Sequence, residues 1–176
     1  GSDLIFNLTL FFIFSVIWIL LLGFGSPLLI ISGVLFGKWV GTLISVISIS
    51  IGALLLYILA SFFFTDLIYK RVGKKFSKYI ELFRKNEFYY FFVYRFVGGL
   101  GIPFFLQNIL PVIFDMKKSN YFFSSFLGFI PSFFIFNTIG SGLKVYVKQA
   151  ENFNFINLIL TKEIYLPIAF FIIVVF

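Results

Sequence analysis

The apolar positions of this chain neither alternate nor recur every third or fourth place; they run on. From Leu4 to Leu22 there is no charge and the only polar side chains are Asn7, Thr9 and Ser15, which predicts a spanning helix, since about 20 apolar residues cross a hydrocarbon core of roughly 30 Å. Gly23 and Gly25 close it. Residues 26–37, Ser26 to Gly37, are apolar again but too few to cross, and Pro27, Gly33 and Gly37 punctuate them, the profile of a re-entrant segment. Lys38 and Trp39 follow as side chains that favour the headgroup level. A second span is predicted over 39–64, with Gly41, Ser45 and Ser48 in small-residue packing register.

The one clearly hydrophilic stretch, 65–87, carries Asp66, Lys70, Arg71, Lys74, Lys75, Lys78, Glu81, Arg84, Lys85 and Glu87 among helically spaced apolar residues. It reads as a basic amphipathic segment resting on the cytoplasmic face. Residues 88–114 are apolar but interrupted by Arg95, Gly98, Gly99, Gly101, Pro103, Gln107, Asn108 and Pro111. That pattern fits a helix-break-helix hairpin returning to its side of entry, with freed backbone groups in protein or a wet cavity. Asp115, Lys117 and Lys118 lie at the interface. A third span is expected over 119–143, with Gly128, Pro131, Asn137 and Gly140 inside it, then an external loop over 144–163 and the start of a fourth span over 164–176. The ends, Gly1-Ser2 without a methionine and Phe176 in mid-run, read as cut. The start does not read as a signal peptide, and the Asn7-Leu8-Thr9 triplet reads as chance at a membrane entry.

On this path the two short hairpins enter from opposite faces. Pro27 and Gly52 are 25 positions apart, as are Pro103 and Gly128, and broken segments in corresponding places of two halves point to a central site. The expected fold is an all-α polytopic membrane protein, an inverted-repeat bundle with two opposed re-entrant helical hairpins.

Composition agrees with lipid as the solvent: 61% of the 176 residues are hydrophobic and 12% charged, too few polar groups to cover a water-soluble surface. With no cysteine or histidine and 7 acidic residues, disulfides, thiolate chemistry, histidine metal sites and a histidine triad are excluded. No nucleophile and base stand at a workable spacing, and neither an enzyme, a cofactor nor a metal is expected. The net charge of +7 reads as cytoplasmic loops facing anionic headgroups rather than nucleic acid.

Arg95 is the strongest single signal. A guanidinium in an apolar setting is costly and is kept near a partner or an aqueous cavity, and its planar fork suits a phosphate; its plainer role is to snorkel or to bind hairpin carbonyls. Gln107 and Asn108 would bind a headgroup or cap the broken helix, and Asn137 would bind it or bridge helices. Pro27, Gly33, Gly37, Gly98, Gly99, Gly101, Pro103, Gly128, Pro131 and Gly140 read as hairpin and packing architecture.

The run Arg95-Phe96-Val97-Gly98-Gly99-Leu100-Gly101-Ile102-Pro103-Phe104, with Gln107-Asn108, Gly128, Pro131 and Asn137-Thr138-Ile139-Gly140-Ser141-Gly142, resembles the VTT-domain superfamily, the SNARE-associated or DedA-like membrane proteins. Bacterial members are the nearest in appearance, and Pro27 to Gly41 with Gly52 is similar to the family's first half. The resemblance implies two opposed re-entrant hairpins and movement of lipid between leaflets, phospholipid in some relatives and undecaprenyl phosphate in others, in a bacterial inner membrane. The partners it implies are membrane lipids with anionic headgroups; oligomeric state stays open, a homodimer included. Two departures stand out. Ser61 occupies a place where many relatives carry a basic residue, and no intramembrane carboxylate for proton coupling is found. The other readings are a small-solute or ion transporter of the same build and a non-transporting scaffold that recruits partners through the basic segment.

Overall fold

The computed structural model describes residues 2–68, 70, 74–149, 160 and 162–175. Within them the chain is helical, with no strand. Helix α1 spans Ser2–Leu20, α2 Gly25–Ile68, α3 Lys74–Lys85, α4 Glu87–Phe96, α5 Phe104–Ile109, α6 Lys118–Gln149 and α7 Lys162–Val175. Two 3₁₀ turns flank α5, at Gly98–Gly101 and Leu110–Phe114. Three helices, α1, α2 and α6, are long and apolar enough to cross a membrane. Most of the stretch expected as an external loop, 144–163, lies outside the described residues, as do residues 71–73 of the basic segment; within 144–149, where no glycine or proline intervenes, α6 simply continues.

Three of the chain's reversals before α6 shape the site, each where the backbone permits it. Leu21 to Phe24 form the first reversal, tied off by the Trp18 indole Nε1, which donates to the Phe24 carbonyl at 3.0 Å. The second is inside α2. Gly37 has φ 78° and ψ 175°, a region open essentially to glycine alone. In a straight helix Ser32 and Gly41 would stand about 13 Å apart, yet the Ser32 hydroxyl donates to the Gly41 carbonyl at 3.0 Å. The chain therefore doubles back, dividing α2 into a short leg, 25–36, and a long arm, 38–68. The third reversal is Gly98–Gly101, where Gly98, Gly99, Leu100 and Gly101 all have positive φ.

The α2 long arm and α6 form the central pair and run antiparallel, since Trp39 packs on Phe134 and Tyr57 stacks on Tyr121. Small residues let backbones meet: a side chain at Gly33 would strike the Asn137 carbonyl, and one at Gly140 the Ile30 carbonyl. The two halves repeat one contact. A Cβ on Gly52 would stand 3.0 Å from the Cβ of Ile19, and one on Gly128 would stand 2.6 Å from the Cβ of Arg95. The shift that carries Pro27 onto Pro103 and Gly52 onto Gly128 also carries Ile19 onto Arg95 and Ser32 onto Asn108. At equivalent places in two antiparallel halves, one half buries an isoleucine and the other a guanidinium.

Candidate functional site: a buried guanidinium beside a pocket

Helix α4 presents Arg95 to the groove left by Gly128 on α6, and the side chain is 1% exposed. Its Nε donates to Ser125 Oγ at 3.3 Å, Nη1 to Gln107 Oε1 at 3.1 Å, and Nη2 to both Asn108 Oδ1 at 2.6 Å and the Tyr121 hydroxyl at 3.0 Å. Four of its five N–H donors are thus used, and every acceptor is neutral. The rings of Phe91 and Phe129 each lie 4.7 Å from the guanidinium carbon, close enough for cation–π attraction. Among the described residues the only ion pair is Arg84–Asp115, at the surface. The Arg95 charge is solvated by dipoles and rings, with no carboxylate against it among the described residues.

The α5 side of this shell is fixed by the reversal before it. Gln107 Nε2 donates to the Ile102 carbonyl at 2.6 Å, fastening the loop while its oxygen holds Arg95, and a side chain at Gly99 would collide with it. Gln107 is therefore both a loop clamp and an arginine ligand. Tyr121 is held by stacking on Tyr57 at 4.5 Å, and the Tyr57 hydroxyl donates to the Met116 carbonyl at 2.6 Å. The Asn108 amide nitrogen is buried with no partner.

Arg95 and Gln107 line a half-open pocket of about 280 Å³, room for several waters at roughly 30 Å³ each. Its other walls come from Phe24 of the first reversal and from Gly25 and Ser26 just after it, from Gly98 and Phe104, and from Phe129, Ser132 and Phe133 of α6. Gly25 and Ser26 begin α2, where first-turn N–H groups lack intrahelical acceptors and the helix end carries partial positive charge. The first and third reversals thus meet at one cavity. A family model described as the VTT domain matches residues 22–142.

The chain belongs to the VTT-domain family.

No solved structure matches it. The matched VTT domain contains the reversals at Gly37 and Gly98–Gly101, the Arg95 shell and the residues that line the pocket, and it includes all of the run from Arg95 to Gly142. Of the expected binding residues, the structure brings Arg95, Gln107 and Asn108 together. It places Asn137 elsewhere, beside Gly33 and Gly41 and three helical turns beyond Ser125, with its Nδ2 on the Phe133 carbonyl at 2.9 Å and its Oδ1 buried without a partner. Of the architectural residues, Gly37, Gly98, Gly99 and Gly101 take positive φ, Gly33, Gly128 and Gly140 line close approaches, and Pro27 and Pro103 lie at the starts of helical legs. Pro131 is accommodated inside α6.

Three residues of the VTT domain matter more than the sequence indicated. Tyr121 and Ser125 complete the guanidinium shell; they stand four apart on one α6 face, the only signal available before folding. Glu87, assigned by sequence to the solvated basic segment, is 5% exposed. Its carboxylate accepts from the Lys117 backbone N–H at 3.3 Å and from Asn120 Nδ2 at 2.6 Å, capping the start of α6 from the start of α4.

Proposed function

We propose that this protein moves lipids between membrane leaflets by passing a phosphate headgroup through the Arg95 pocket while the acyl chains stay in lipid. The observation that carries the reading is a guanidinium buried with no counter-charge among the described residues, at the edge of a half-open cavity. A buried cation is expensive unless paired; the remaining Nη1 hydrogen and the start of α2 would hold an anion, whose charge is the one the neutral shell of Arg95 lacks. The site's affinity is limited because four of the five donors are already engaged, which suits a group that must leave as readily as it enters. Two hairpins entering the membrane from opposite faces, in the antiparallel halves of an inverted repeat, would give the pocket access to either leaflet. Membership of the VTT-domain family supports a membrane transporter; phospholipid or undecaprenyl phosphate is the cargo this reading assigns, and a bacterial inner membrane its location.

The test is flux in proteoliposomes, following a fluorescent phospholipid and, in parallel, undecaprenyl phosphate. Arg95→Lys keeps the charge but loses the fork, and with about 1.5–3 kcal/mol for each charged hydrogen bond lost flux is expected to fall at least tenfold in protein that still elutes as a folded species. Flux of neither lipid from folded wild-type protein, with uptake of a small anion instead, would replace this reading by solute transport.

A further inference from the structure

Outside the pocket, the charge of the molecule is concentrated in α3. Its twelve residues carry five cations against the single anion Glu81. The inner edge is packed: Ile80 is buried, and Phe83 stacks on Phe114 at 4.3 Å. The outer face, at helical spacing, presents Lys78, Tyr79, Leu82 and Lys85, which with Glu81 line one shallow hollow. Tyr79 is 63% exposed and Leu82 56%. Apolar side chains flanked by lysines suit the plane where hydrocarbon gives way to headgroups, because the stems lie along the apolar layer and the ammonium groups reach phosphate. An acidic protein or a nucleic acid would leave Leu82 without an apolar partner. One residue, Asn86, separates α3 from α4, so the face is held where the bundle begins.

The helix is also latched. Arg84 Nε donates to the Phe114 carbonyl at 3.0 Å and Nη2 to Asp115 Oδ2 at 3.0 Å. Phe114 and Asp115 end the return leg that begins with α5, the leg that carries Gln107 and Asn108 against Arg95. We infer that the Lys78–Tyr79–Leu82–Lys85 face is a docking surface for an anionic lipid leaflet, and that Arg84 transmits its engagement to the α5 leg. Neither half depends on what the Arg95 pocket transports.

The chain has no cysteine, so a single one takes an environment-sensitive fluorophore without competition. With the probe on Ser77→Cys, beside the stripe, emission should shift to the blue when nanodiscs of phosphatidylcholine are replaced by ones containing phosphatidylglycerol. Each lysine near an anionic surface is worth about fivefold in partitioning, so the double variant K78Q/K85Q should lose roughly 25-fold and with it the lipid dependence. High salt should erase the shift in the wild type. The same emission in both lipids, or a dependence that survives K78Q/K85Q, would overturn the docking surface. For the latch, a probe on Leu106→Cys, on the α5 leg, should respond to phosphatidylglycerol in the wild type and not in Arg84→Gln. A response that persists in Arg84→Gln, or none in either protein, would overturn the transmission while leaving the Ser77 result to stand by itself.

Discussion

At the scale of single residues, Arg95 illustrates how an apolar interior tolerates a cation: four neutral acceptors and two ring faces replace water, each contributing modestly and none neutralising the charge. The shell works only because Gly128 has no side chain. A methyl there would meet the Arg95 Cβ at 2.6 Å and the Phe92 carbonyl oxygen at 3.0 Å, and a backbone oxygen cannot step aside as a side-chain tip can. Gly128→Ala should therefore destabilise the fold by about 1–3 kcal/mol, the usual range for overpacking, and reduce flux with it. Its counterpart Gly52→Ala meets Ile19 at 3.0 and 3.3 Å and the Val16 Cα at 3.4 Å, a milder conflict. Thermal unfolding in detergent should rank Gly128→Ala below Gly52→Ala; the reverse order would mean that the Arg95 side of the bundle relaxes more easily than its geometry implies.

At the scale of elements, the reversals and the helix starts do the organising. Nothing lies within 4 Å of a Cβ built on Gly37, yet its φ of 78° is one that side chains avoid. Gly37→Ala should consequently cost about 1–3 kcal/mol through backbone conformation alone, seen as a lower unfolding temperature; an unchanged temperature would show that the turn can be remade with another dihedral. Glu87 governs a different junction. By accepting from Lys117 N–H and Asn120 Nδ2 it ties the start of α4 to the start of α6, so both arms leave the same end of the bundle. Removal of a buried partner of this kind costs about 1–3 kcal/mol. Glu87→Ala should show that loss in thermal unfolding, whereas Glu87→Gln, which keeps a carbonyl acceptor, should recover part of it. Equal stability of the two variants would argue against the hydrogen bonds as the reason for burying this residue. The Arg84–Asp115 pair, with its side chains 48% and 75% exposed, contributes little to stability of itself; its interest is positional.

For the whole molecule, antiparallel halves have a consequence for sidedness. Lys38 opens the long arm of α2 next to the α6 turn that carries Phe134 and Asn137, whereas Asp115 precedes the α6 start. Measured along α6, those places are separated by about 17 residues, or roughly 26 Å at 1.5 Å per residue, close to the thickness of a hydrocarbon core. A membrane-impermeant maleimide applied to sealed vesicles should accordingly label Lys38→Cys and Asp115→Cys from opposite sides. Labelling of both from one side would remove the inverted arrangement on which the proposed access from both leaflets depends. Much of this architecture was legible in the residues themselves. Unbroken apolar runs have one common solution in lipid, because every backbone group must be bonded within its helix, so helix content and the breaks at Gly23, Gly37 and Gly98–Gly101 follow from local chemistry. Arg95, Gln107 and Asn108 could be singled out for the same reason, as polar groups too costly to place in hydrocarbon without a purpose. Partnership was another matter. That Asn137 stands with Gly33 and Gly41 rather than Arg95, that Tyr121 and Ser125 complete the guanidinium shell, and that Glu87 is buried at a helix start all depend on where the α2 arm, α4 and α6 cross. Those crossings are set by backbone approach at small residues from distant parts of the chain, a property of the packed bundle that spacing along one segment does not contain.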